Sequence, residues 1–172
     1  MLKIFTTQLT GFFQRIQEKE NSQIEDAARL LAQAAIGEGA IYVKGWGILE
    51  GIYAQVEKGE SFPACKPLPD VDNVTAADRV LLFTPFSTDL DAIDTAQQLA
   101  EKGIPTVGVS AAVNGEKSLQ QFVDIHVDSK LTKPIIPTEH NERIGFPVLM
   151  TSLYVYYCLF LTVKEILEEH EE

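Results

Sequence analysis

Residues 78–110, DRVLLFTPFSTDLDAIDTAQQLAEKGIPTVGVS, decide how this chain is read. The block Arg79-Val80-Leu81-Leu82-Phe83-Thr84 is too short for a helix and carries apolar residues on both faces, as a strand covered from both sides does. Asp89 stands where a helix cap belongs, and Leu90, Ile93, Ala96, Leu99 and Ala100 follow at helical spacing until Gly103 ends the run. Ile104 to Ser110 reads as the next strand, with Pro105 near its start, where a missing N–H donor matters least. Strand, helix and strand in this order make a βαβ unit, whose two strands lie parallel and whose crossover is right-handed.

The same alternation extends outward. Upstream, Ala40-Ile41-Tyr42-Val43 is a short buried strand, and Gly45-Trp46-Gly47 turns it into a helix with Leu49, Ile52, Tyr53 and Val56 inward, closed at Lys58-Gly59. Pro63, Pro67 and Pro69 then make a stiff surface connector with room for no more than an edge strand. Downstream, a short helix near Ser118 to Gln121 leads to a strand over Val123-Asp124-Ile125-His126-Val127.

Two amphipathic helices precede the first strand. Leu2, Phe5, Leu9, Phe12, Phe13 and Ile16 form the stripe of the first. Asn21-Ser22 with Glu25 offers a capping box for the second, whose stripe is Ile24, Ala27, Ala28, Leu31 and Ala35 before Gly37 and Gly39. After the last strand, Ser129 to Arg143 reads as a long loop, Pro147 as the first residue of a final helix running to about Glu168, and Glu168 to Glu172 as a frayed acidic tail. The expected fold is therefore α/β, a three-layer αβα sandwich around a doubly wound parallel sheet of about five strands, with two N-terminal helices and a long apolar C-terminal helix. One domain, 1–172, divides into leading helices (1–37), an αβ core (38–143), and the C-terminal helix with its tail (144–172).

From Ile144 to Val163 no side chain is charged, a length that would span a bilayer core, yet the flanks Glu142-Arg143 and Lys164-Glu165 carry no one-sided basic excess. No membrane association is expected. Phe146, Leu149, Leu153, Tyr156, Tyr157, Phe160 and Leu161 exceed what a small sheet needs to cover, so the helix is expected to form a homodimer or higher homo-oligomer interface.

The 172 residues hold 14 Lys plus Arg against 25 Asp plus Glu, a formal charge of −11, which argues against a nucleic-acid partner. Cys65 and Cys158 form no Cys-x-x-Cys pair and read as reduced thiols of a cytoplasmic protein, and the polar residues that follow Phe5 break any signal-peptide core. Cys158, on an apolar helix, reads as a buried inert thiol. His126, His140 and His170 lie far apart, so neither a metal site nor a cofactor is implied.

In an open parallel sheet, ligands bind outside the carboxyl ends of the strands. The loops there are Lys44–Gly47, Thr84–Asp89, Ser110–Val113 and Asp128–Lys133. Gly45, Trp46 and Gly47 form a Gly-x-Gly turn that serves close backbone approach or a tight turn alone, with Trp46 stacking on a ligand or covering the sheet edge. Thr84, Ser87 and Thr88 offer hydroxyls to a phosphate, although Ser, Thr and Asp also cap helices, and an ionised Asp89 would occupy the place a phosphate wants. Lys130, Lys133, His140 and Arg143 gather four potential cations in one loop, either to hold an anion or to pair with Asp128, Glu139 and Glu142. Glu139 and Glu142 are the candidate general bases, against a reading as solvated surface.

The order of two leading helices, a Gly-x-Gly turn, a hydroxyl-bearing second turn and a long final helix resembles the sugar isomerase (SIS) family of phosphosugar-binding domains. Residues 78–110 look like that family's aspartate, apolar strand, Ser/Thr-rich loop, helix ending in Lys-Gly-Ile and following strand. Phe122-Val123-Asp124-Ile125-His126-Val127 fits its Ala-Asp-led fourth strand. Single-domain members of this size look most like phosphoheptose isomerases, with an uncharacterised bacterial SIS-like subfamily as the alternative.

The resemblance implies a phosphosugar ligand at Gly45, Gly47, Thr84, Ser87 and Thr88. Where the family loop reads Ser-Thr-Ser-Gly-Asn-Ser, this chain reads Thr84-Pro85-Phe86-Ser87-Thr88-Asp89, with Phe86 and Asp89 in serine positions. The zinc ligands and catalytic pair of phosphoheptose isomerases have no counterparts: Gln55 and Gly59 stand on the first helix after the turn, and the last helix has no histidine before His170. Two functions are expected on this basis. One is a phosphosugar aldose–ketose isomerase using Glu139 or Glu142. The other is a non-catalytic dimer that has lost phosphate recognition and works as a regulatory or interaction module.

Overall fold

A computed structural model describes residues 1–172. Helices α1 (Leu2–Lys19) and α2 (Asn21–Ile36) lead into β1 (Ile41–Gly45), a 3-10 turn (Gly47–Gly51) and α3 (Ile52–Lys58). Then come β2 (Cys65–Pro67), a 3-10 turn (Val71–Asn73), β3 (Arg79–Phe86), α4 (Leu90–Glu101), β4 (Thr106–Ala111), a 3-10 turn (Leu119–Gln121) and β5 (Ile125–Asp128). The hairpin β6 (Ile136–Pro137) and β7 (Arg143–Ile144) precede α5 (Val148–Glu171).

The five strands of the main sheet are all parallel in the order β2-β1-β3-β4-β5, so the strand order reverses between β1 and β3. Alternation along β3 assigns the two faces. Leu81 and Phe83 join Ile41, Val43, Val107, Val109 and Val127 beneath α2, α3 and α5, while Val80 and Leu82 meet α4 and Leu119 on the other side. The first face holds 26 buried residues against nine on the second, so the core lies on the α2/α5 side.

That asymmetry explains α5. Its length and apolar composition would suffice to cross a membrane. In the fold, however, Val148, Thr151, Ser152, Val155, Tyr156, Leu159 and Val163 are buried, and α2 and α1 pack against the helix together with the sheet. Phe13 stacks on Tyr154, and Phe62 meets both Tyr156 and Phe160 edge-on. Of the apolar surplus read from the sequence, Tyr156 is buried, Phe146, Leu149, Leu153, Tyr157 and Phe160 are half-buried, and Leu161 is exposed at 55%, as is Met150 at 45%.

Four local expectations are corrected. The capping box at Ser22 does not form: α2 starts at Asn21, and Glu20, in the N-cap position, makes no capping bond. Its carboxylate instead accepts the Asp128 N–H at 2.7 Å and the Lys130 ammonium at 3.1 Å, which ties the α1–α2 corner to the end of β5. Glu25 pairs with Arg29 on the helix surface. The 129–143 loop contains the short antiparallel β6–β7 hairpin, and the acidic tail continues α5 as far as Glu171 instead of fraying from Glu168. Leu90, placed inward by its spacing, is 67% exposed because it opens α4 beyond the sheet edge.

Aspartates set the entry of two strands. Asp78, buried just before β3, accepts the N–H groups of Ala40 and Thr75, each at 2.8 Å, and the Thr75 hydroxyl at 3.2 Å. Asp124, just before β5, accepts the Thr106 N–H at 2.8 Å, where β4 begins. Each carboxylate thus satisfies a backbone donor of a neighbouring strand where the sheet ladder has not yet begun. Burial alone would raise the Asp78 carboxyl, but the bonds from Ala40 and Thr75 and the charge of Arg79 outweigh it and hold the group below its ordinary value.

Candidate functional site: the cleft between the first two turns

The β1/β3 reversal places two loops side by side at the carboxyl edge, where a crevice opens between turns that diverge to opposite faces. A cleft of about 500 Å³ lies there, lined by Trp46, Gly47, Thr84, Pro85, Thr88, Asp89, Leu90 and Asp91. One wall is the turn after β1. The other is the turn after β3 with the first residues of α4.

The first wall is held by backbone geometry. The Trp46 N–H bonds to the Phe83 carbonyl at 3.0 Å, continuing the sheet by one residue, and Gly45 N–H meets the Tyr53 hydroxyl at 3.3 Å. The chain then folds back so tightly that a Cβ on Gly45 would stand 2.1 Å from the Leu49 carbonyl oxygen. Gly47 takes a left-handed φ of 61° with open space around it, so it is needed for conformation and not for clearance. The Lys44 ammonium lies 5.3 Å from the centre of the Trp46 ring.

The second wall is organised by Asp89. One of its oxygens, Oδ2, accepts the Thr84 hydroxyl at 2.6 Å and the Phe86 N–H at 2.9 Å. Asp89 stands in the N-cap position of α4 without a side-chain cap bond to the helix, so its carboxylate turns back into the loop. Ser87 is fully buried and its hydroxyl bonds to both the carbonyl and the N–H of Val113, at 3.2 and 2.9 Å, bracing the loop after β4. Phe86 stacks on Phe146 just before α5, 5.9 Å between ring centres.

The structure thus brings Trp46, Gly47, Thr84 and Thr88 together in one cleft, with Gly45 beneath them. Ser87 faces away from it, and the hydroxyl of Thr84 is already donated. Asp91, which sequence reading did not single out, completes the lining. An acidic residue in the first turn of a helix reads as dipole compensation, and nothing in the local pattern distinguishes the two roles. No Lys, Arg or His lines the cleft.

The remaining candidates lie elsewhere. Glu139 and Glu142 are exposed on the β6–β7 hairpin and do not line the cleft. Arg143, also exposed, donates to the carbonyls of Pro134 and Ile135 at 2.8 and 3.4 Å and so ties the hairpin to its own base. Lys130 pairs with Glu20 and with Asp128, the second being one of the ion pairs weighed against an anion site, while Lys133 and His140 are exposed. Beside Lys130, the Ser110 hydroxyl and His126 Nε2 are 2.7 Å apart. Burial pulls the His126 imidazole down to about 4, with Lys130 acting in the same direction and Asp128 opposing it.

Burial pushes the Cys65 thiol up to about 12 and raises Cys158 as well, which leaves both protonated and poor nucleophiles at neutral pH. No group of three His, Cys, Asp or Glu side chains gathers at metal-binding distance.

Residues 1–167 match the model of a family described as domain of unknown function (DUF2529). The uncharacterized protein YwjG of Bacillus subtilis (strain 168) is 49% identical over 172 residues, covering 99% of each chain. Among solved structures, a phosphoheptose isomerase from Francisella tularensis superposes with a TM-score of 0.66 at 10% identity, over 95% of this chain and 96% of that one. The Vibrio vulnificus NanR protein complexed with ManNAc-6P superposes with a TM-score of 0.60 at 12% identity, over 99% of this chain and 63% of NanR. The shared architecture is the SIS fold, and at these identities the likeness carries the fold and nothing finer.

Proposed function

This chain belongs to the DUF2529 family, and we propose that it is a SIS-fold binding module that holds a carbohydrate derivative in the cleft between the Trp46–Gly47 and Thr84–Asp91 turns, without isomerising it. The observation that carries this reading is the position of the cleft at the topological switch point, where open parallel sheets place their ligands. Its lining suits the chemistry: the flat apolar face of Trp46 matches the C–H face of a sugar ring, and Thr88, Asp89 and Asp91 offer oxygen acceptors for hydroxyl groups. The structural neighbours support the class of ligand, one being a phosphoheptose isomerase and another a protein complexed with ManNAc-6P.

Isomerisation asks for more than binding. Moving a proton between adjacent carbons needs a base whose accepting atom lies about 2.6–3.2 Å from the atom that carries the proton. Glu139 and Glu142 stand on an exposed hairpin outside the cleft, and the Asp89 carboxylate is engaged by Thr84 and Phe86. The test is NMR of fructose and sedoheptulose, and of their 6- and 7-phosphates, in D2O with the protein present. No deuterium is expected to enter the carbon next to the carbonyl beyond the protein-free rate. Exchange that disappears in Glu142→Gln would overturn the non-catalytic reading and restore a base role to that residue.

A further inference from the structure

We propose that Asp89 is the specificity-determining residue of this cleft: its carboxylate fills the anion place of the β3–α4 turn, so the cleft selects a carbohydrate that is uncharged at that end and rejects phosphate esters. This rests on the reading of the cleft as a carbohydrate site and narrows its ligand.

The geometry is that of a site already occupied by its own anion. A turn that feeds a helix presents backbone N–H groups and the positive end of the helix dipole, which together favour negative charge. Here two donors of that turn, the Thr84 hydroxyl and the Phe86 N–H, end on Asp89 Oδ2, at 2.6 and 2.9 Å, and hold the carboxylate inside the turn at the start of α4. Thr84 is buried at 1% exposure and its single O–H is spent on that bond, so it has no donor left for a phosphate while the bond stands. Ser87 is likewise consumed, by Val113.

A phosphate entering the cleft would meet Asp89 and Asp91 with no cation among the lining residues, Lys44 being held over the Trp46 ring outside that lining. Like charges at contact distance repel even in an open cleft, and with two carboxylates facing one phosphate the repulsion favours the neutral parent over the phosphate ester. A neutral sugar has the opposite relation to the same groups, because its hydroxyls donate to the free lone pairs of the two carboxylates.

The experiment compares wild type with Asp89→Ser and the isosteric Asp89→Asn, titrating inorganic phosphate, ManNAc-6P and unphosphorylated ManNAc. Binding is followed by calorimetry and by the fluorescence of Trp46, the sole tryptophan. Circular dichroism confirms that both variants are folded, and Asp89→Asn preserves the side-chain shape should serine loosen the turn. Removing the carboxylate is expected to strengthen phosphate and ManNAc-6P binding by about tenfold or more and to weaken ManNAc, which loses a charged acceptor for its hydroxyls, so that the preference between the two sugars inverts. Wild type binding ManNAc-6P more tightly than ManNAc, or folded variants that gain no affinity for phosphate, would overturn the role given to Asp89. Either result leaves the cleft standing as a carbohydrate site. That reading fails separately, if no sugar of either kind perturbs Trp46.

Discussion

Replacing Gly45 with alanine is expected to cost about 3 kcal/mol, the upper end of the usual range for overpacking, because the added methyl meets backbone and not a movable side chain. An alanine Cβ would lie 2.1 Å from the Leu49 carbonyl oxygen and 2.6 Å from its carbon, so the whole 3-10 turn would have to move away from β1. Gly47→Ala is the internal control. It has open space and only the cost of a left-handed φ of 61°, roughly 1 kcal/mol. Urea unfolding of both variants measures the difference. For a domain of this length the larger loss also lowers Tm by about 6–12 °C. Equal midpoints for the two variants would show that Gly45 is not the pivot of the first wall.

Asp78→Ala is expected to cost roughly 2–4 kcal/mol, since it leaves the N–H groups of Ala40 and Thr75 without the charged acceptor that now holds them. The loss has a signature in pH. The folded Asp78 carboxyl lies below its ordinary value, so its stabilising contribution is fully present above the unfolded pKa of about 3.9 and is lost as pH falls through the lower folded value. The stability curves of wild type and Asp78→Ala should therefore stay apart at neutral pH and converge in acid. A gap that persists unchanged to the lowest pH at which both remain folded would assign Asp78 a packing role only.

The legibility of this fold follows from where its information is stored. Buried parallel strands such as Val80-Leu81-Leu82-Phe83 and helices such as α4 announce themselves in local pattern, and the parallel topology follows from their alternation. What was misread depended on partners distant in sequence. Glu20 gave no sign that it would serve Asp128 and Lys130, more than a hundred residues away, and so the capping box at Ser22 looked natural.

The site divides in the same way. Gly45, Trp46, Gly47, Thr84 and Thr88 belong to turns at the ends of recognisable strands, and their convergence follows from the β1/β3 switch. Ser87 carries the same chemistry as Thr88 one residue away, but it faces Val113, an orientation that only the folded loop decides. Glu139, Glu142 and Arg143 sit in a segment whose hairpin is set by a two-residue pairing too short to leave a periodic trace.

The central claim, that the cleft at the β1/β3 switch is where this chain meets its ligand, is tested most directly by the fluorescence of Trp46. The residue is the only tryptophan in the chain and it lines that cleft. Titration with neutral aldoses, amino sugars and their phosphates is predicted to give a saturable change for at least one neutral carbohydrate, with its midpoint matching the dissociation constant from calorimetry. Calorimetric binding that leaves the Trp46 signal unmoved would place the ligand elsewhere on the molecule and contradict the account.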